Sequence, residues 1–145
     1  MDRLEILSSR VSEKFRLAPI SRQRAACLAA CEIAIAASKT EDPLAREALL
    51  QFRAGESFTP ERKAQIDAQA ACLDQEYLDM QDAVDNGETT ATNYLHIFAK
   101  ARAMAALSFA AGNSPDALRE AIYEAAIAAG DDKRQFFAIV EAKLA

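Results

Sequence analysis

Glycine and proline punctuate this chain at the ends and beginnings of helical runs. Gly55, Gly87, Gly112 and Gly130 each follow a run with helical patterning. Glycine is favoured just past a helix end because it takes positive φ without a Cβ clash. Asp42-Pro43, Thr59-Pro60 and Ser114-Pro115 each place a capping side chain before a proline. Proline suits the first helical position, where its missing N–H costs nothing, and the preceding oxygen accepts an orphan N–H. Pro19 precedes Ser21, a further candidate cap.

These stops predict seven helices, at residues 2–16, 20–38, 43–54, 60–86, 90–111, 115–129 and 132–144. No run alternates apolar and polar residues as a strand would. The 33 alanines against three valines point the same way, since alanine is the best helix former and valine favours strands. The length of 145 residues suits one domain, 1–145. The expected fold is therefore all-α, a bundle-like single domain of six to seven helices.

Two of these helices are apolar on nearly every side. Ala25 to Ala37 carries one charge, Glu32, and Ala103 to Ala111 carries none. Such helices belong in the middle of a bundle, so two Ala-rich central helices are expected. Glu32 and Arg102 stand out as charges inside these two helices. A buried charge needs a partner. The expectation is an internal ion pair between Glu32 and Arg102, or between Glu32 and Arg24 or Lys100.

The fourth helix shows the clearest amphipathic pattern. Ile66, Ala70, Leu73, Tyr77, Met80 and Val84 form one stripe, a seam for a neighbouring helix. Asp74, Glu76, Asp79, Asp82, Asp85 and Glu88 place six carboxylates within fifteen residues. Residues 41–87 hold four Lys/Arg against eleven Asp/Glu, whereas residues 1–40 hold seven against four. The acidic residues lie towards the helix C-terminus, where the helix dipole disfavours them. Local stability does not account for that placement. They form either a solvated face or a docking face for a basic protein.

Other chemistries find less support. A net charge of −5 disfavours nucleic acid. No glycine-rich phosphate loop, nucleophile elbow or paired-histidine zinc motif occurs. The only histidine, His96, has Asn93 three positions earlier, so no Glu-x-x-His di-iron motif is present. Cys27, Cys31, Cys72 and His96 could in principle meet at a metal, but cysteines in alanine-rich runs read more simply as small hydrophobes. No catalytic residue, cofactor or metal is expected. The N-terminus has no charged-then-apolar signal pattern, and no run is long enough to span a bilayer. A cytoplasmic protein without a membrane partner is expected.

The segment Asp42-Pro43-Leu44-Ala45-Arg46-Glu47-Ala48-Leu49, followed by Arg53-Ala54-Gly55-Glu56, resembles an element of all-helical immunity proteins from bacterial polymorphic toxin systems. The later Ala91-Thr92 pair, with His96 and the alanines to Ala111, is similar to another. The resemblance covers residues 22–111. It implies a non-enzymatic protein that binds and neutralises a cognate toxin, and it transfers no catalytic residue. Combined with the charge pattern, it makes Asp74, Asp79, Asp82, Asp85 and Glu88 the expected contacts to a basic toxin domain, occluding its active site. The alternative is a small helical adaptor or phage-encoded inhibitor acting through protein–protein contacts as a homodimer. The sequence leaves the oligomeric state open.

Overall fold

The computed structural model describes residues 2–88 and 94–145 in full, and the backbone of 91–93. It is all-helical, with no strand among the described residues. The elements are α1 (Arg3–Leu7), α2 (Ser9–Leu17), α3 (Ile20–Ala37), α4 (Pro43–Arg53), α5 (Pro60–Asp85), α6 (Ala91–Ala110), α7 (Pro115–Ala128) and α8 (Arg134–Leu144). That is eight described helices where six to seven were expected. Thr90, expected to open the fifth predicted helix, lies outside the described residues.

The extra helix comes from Ser8. Its backbone is extended, at φ −157° and ψ 101°, and its hydroxyl accepts a hydrogen bond from the Val11 N–H at 3.1 Å. Serine competes for backbone hydrogen bonds in this way, so it restarts the helix instead of continuing it. The break lets Leu4 of α1 and Val11 and Phe15 of α2 all reach the core. The expected caps at Asp42, Thr59 and Ser114 are present, each accepting from a backbone N–H in the first turn. At the start of α3 the structure differs. Pro19, not Ser21, takes the cap position, without a side-chain bond.

The helices follow one another in space in the order α5, α6, α7, α3, α8, with α4 against α3 and α5, and with α1 and α2 closing on α7 and α8. α7 lies beside both Ala-rich helices. It packs extensively on both α6 and α3, which meet each other more sparingly. Seven of its residues are buried, including Leu118, Ile122, Ala125 and Ala126. The Ala-rich α3 packs on α4, α6, α7 and α8, the Ala-rich α6 on α3, α4, α5 and α7, and α7 is flanked by both. Tyr123 and Glu124 interrupt the apolar run of α7 in sequence, yet Glu124 is itself buried. Alanines such as Ala30, Ala34, Ala106, Ala121 and Ala125 are fully buried, and such small side chains let helices approach closely.

Gly112 shows a second departure. Its φ is not positive; the neighbouring Asn113 takes that conformation, at φ 54°. A Cβ on Gly112 would lie 2.9 Å from Ala117 Cβ and 3.2 Å from the Phe109 carbonyl oxygen. Glycine is needed here for the close approach of α6 to the start of α7. At the other end of the α5–α6 hairpin, Gly87 follows the helix with φ 75°, as expected of a glycine past a helix end.

Candidate interaction surface

α5 and α6 form an antiparallel hairpin whose register is fixed by side chains. The Ser108 hydroxyl donates to Asp67, the Arg102 guanidinium pairs with Asp74, and the Tyr77 and Tyr94 hydroxyls lie 2.8 Å apart. The Tyr77 ring stacks on Tyr94, with centroids 5.0 Å apart, and tilts against Phe98 at 5.1 Å. The bond to Tyr94, with burial, pushes the Tyr77 hydroxyl above its ordinary range.

The core stops partway along this hairpin. Ile66, Ala70 and Leu73 are buried, but the remaining members of the same predicted seam, Tyr77, Met80 and Val84, are only half-buried. On α6, Leu95 is 58% exposed and, from Tyr94 onward, the first buried residue is Ala101. The twelve residues of α5 after Leu73 correspond to about 18 Å of helix at 1.5 Å per residue. That stretch carries the carboxylates, and Asp74 and Tyr77 on it meet Arg102, Tyr94 and Phe98 of α6. The seam is therefore shared between core packing in its first half and hairpin pairing in its second.

Asp79, Asp82, Asp85 and Glu88 are exposed. Among the described residues none of the four forms an ion pair; Asp79 accepts one hydrogen bond, from the Gln75 amide at 3.0 Å. Asp74 differs from the other four. It is half-buried and bound to Arg102, so it braces the hairpin and is not a free contact.

The expected Glu32–Arg102 pair does not form. Glu32 binds Arg53 at the end of α4, and Arg102 binds Asp74 and, at 3.0 Å, Glu124 of α7. The physical reason is the position of α7. Each charge meets the nearest opposite charge on its own side of the molecule. Neither alternative partner takes Glu32: Arg24 lies over the Phe52 ring at 4.8 Å, and Lys100 lines a cavity with Glu41 and Asp42.

Glu124 is the residue that sequence reasoning missed. Only 3% exposed, it accepts from Arg102 at 3.0 Å and from Arg3 of α1 at 3.2 Å. Arg3 also binds Glu120 and lies 4.3 Å from the Tyr123 ring centroid. The resulting chain Asp74–Arg102–Glu124–Arg3–Glu120 ties α5, α6, α7 and α1 together. The Arg102 Nε is buried with no hydrogen-bond partner in the structure. The sequence held a signal, a carboxylate inside the Ala-rich run Ile122 to Ala129, of the same kind that singled out Glu32.

Cys27 and Cys31 are buried on α3. The hydrogen bond to Cys31, reinforced by burial, pushes the Cys27 thiol well above its ordinary range, which opposes nucleophilic or ligating use. Cys72 and His96 are exposed, on α5 and α6. Among the described residues no group of three or more histidine, cysteine, aspartate or glutamate side chains is placed to hold a metal. No helix there is long and apolar enough to cross a membrane. No protein-family model matches this chain, and no curated protein or solved structure does.

Proposed function

We propose that this protein is a non-enzymatic immunity protein that neutralises a cognate bacterial toxin by docking the distal, acidic half of α5 against a basic active-site cleft. One observation carries the reading. Asp79, Asp82 and Asp85, on a stretch of α5 that the core does not use, and Glu88 just past its end stand exposed and without ion pairs among the described residues. Had the protein's own lysines and arginines neutralised that face, it would have been structural. Its charge instead lies free to accelerate encounter with a positive surface and to occupy the place of a phosphate-bearing substrate. The half-exposed Leu78 and Tyr77 beside the carboxylates supply apolar contact area, which charge alone lacks.

Asp74 is no longer among the proposed contacts, because it is committed to Arg102. The test is co-expression of the chain with the toxin gene adjacent to its own, comparing wild type with the triple variant Asp79→Lys, Asp82→Lys, Asp85→Lys. Host survival with wild type and killing with the variant are expected. The absence of an adjacent toxin gene, or equal protection by both, overturns the proposal.

A further inference from the structure

The acidic half of α5 continues into a groove of about 460 Å³. Its floor is α6, through Ala105 and Phe109, and its walls are α5, through Asp67, Ala71 and Asp74, and the start of α7, at Ala117. Apart from Phe109, the apolar lining is of small side chains, so a partner backbone can come close. Phe109, which is 37% exposed, offers a large apolar contact in the middle of the floor.

The groove does not end at Asp74 in chemical terms. Asp67, Ala71, Asp74, Leu78, Asp82 and Asp85 advance along α5 in steps of four, three, four, four and three residues, so they share one face of the helix. That face runs about 27 Å, eighteen residues at 1.5 Å each. Its inner part is walled by α6 and α7; its outer part carries Leu78, 49% exposed, and the carboxylates of Asp82 and Asp85, which form no ion pair among the described residues. The lysine that lines the groove, Lys63, is bound to Asp67 at 2.8 Å. Glu76 lies on the opposite face of the helix.

Resting on the reading of the acidic face as a docking surface, we infer that this groove and its outer continuation receive a single amphipathic helix of the partner. The partner helix presents small apolar side chains inward to Ala71, Ala105 and Phe109 and lysines or arginines to Asp82 and Asp85. A helix fits because the slot lies between helices and has its length along α5, the arrangement in which an apolar helix face lies in a groove. Basic residues fit because the free charge along the slot is negative.

The probe is a fluorescein-labelled eighteen-residue peptide of alanine, leucine and lysine. Its apolar residues sit at positions i, i+3, i+4 and i+7, and it is compared with an isomer of alternating order. Binding is read by fluorescence anisotropy against the intact chain. The helical-pattern peptide is expected to bind about tenfold or more tighter than its isomer, and Ala71→Trp and the pair Asp82→Lys, Asp85→Lys are each expected to weaken it about tenfold. Glu76→Lys on the opposite face is expected to change it by less than about threefold. Ala71 is exposed, so the tryptophan should not disturb the core; a melting curve checks this, and Ala71→Gln replaces it if the fold is lost. Equal binding of the two peptides, or unchanged binding by the Ala71 variant, overturns the groove and leaves the acidic face standing. Weakening by Ala71→Trp with none by the Asp82 and Asp85 reversals overturns the acidic face, and with it the basic occupant. Self-association that Ala71→Trp abolishes makes the occupant a second copy, and overturns the inference too.

Discussion

Replacing Glu124 by alanine removes the one buried carboxylate that two arginines share. Glu124 is 3% exposed and takes hydrogen bonds from Arg102 and Arg3. Removing one member of a buried pair costs about 3–5 kcal/mol when the partner is left fully uncompensated. Arg102 keeps Asp74 and retains some solvent contact, with its side chain 22% exposed, and Arg3 keeps Glu120. The loss should therefore fall below that range, at about 2–3 kcal/mol. Glu120→Ala removes only the more exposed end of the chain, where about 0–1 kcal/mol is expected. The two variants differ by one helical turn and are otherwise comparable. In urea, with a slope of about 1–3 kcal/mol per molar, Glu124→Ala should move the midpoint down by about 1–2 M. Glu120→Ala should move it by a fraction of that. Equal midpoints for the two variants would refute the assignment of Glu124 as the hub of the network.

Three further outcomes follow from the same geometry. Gly112→Ala should destabilise by about 1–3 kcal/mol in urea unfolding, because its Cβ meets Ala117 Cβ at 2.9 Å and backbone oxygen at 3.2 Å; an unchanged midpoint would mean that α6 and α7 are not so close. For Asp67, burial works to raise the carboxyl, but bonds from Lys63 and Ser108 outweigh it and hold the group below its ordinary 3.8. A depressed folded value stabilises above the unfolded value and is lost as pH falls through the folded one, so Ser108→Ala should cost stability at pH 7 and progressively less towards pH 2, checked by urea titrations at both. Native protein should react with Ellman's reagent at one thiol, the exposed Cys72, and at all three once unfolded, since Cys27 and Cys31 are buried.

The sequence was most legible where local chemistry decides. The caps at Asp42, Thr59 and Ser114 and the glycine after α5 depend on neighbours within a few residues, and the structure has them. The split at Ser8 is local too, but two serines in an otherwise amphipathic run are compatible with continuation, so only burial of Leu4 with Phe15 decides it. The partner of a buried charge is a different matter. Glu32 and Arg102 both have ion-pair partners, Glu32 at a half-exposed position, and which carboxylates reach Arg102 depends on how α5 and α7 pack on α6. No spacing within one helix encodes that. The same holds for the acidic stripe. Its periodicity is visible in sequence, but the division of α5 into a half with buried residues and a half with none depends on how the other helices pack.

The most direct test of the free acidic face is the ionic-strength dependence of association. With the purified basic partner that the proposed function requires, the association rate constant is measured by stopped-flow fluorescence at low and high salt. A basic partner steered by Asp79, Asp82, Asp85 and Glu88 should associate about tenfold or more faster at low salt, and the triple lysine variant should lose that advantage. A rate that does not vary with salt, or one that varies identically in wild type and variant, would contradict the account.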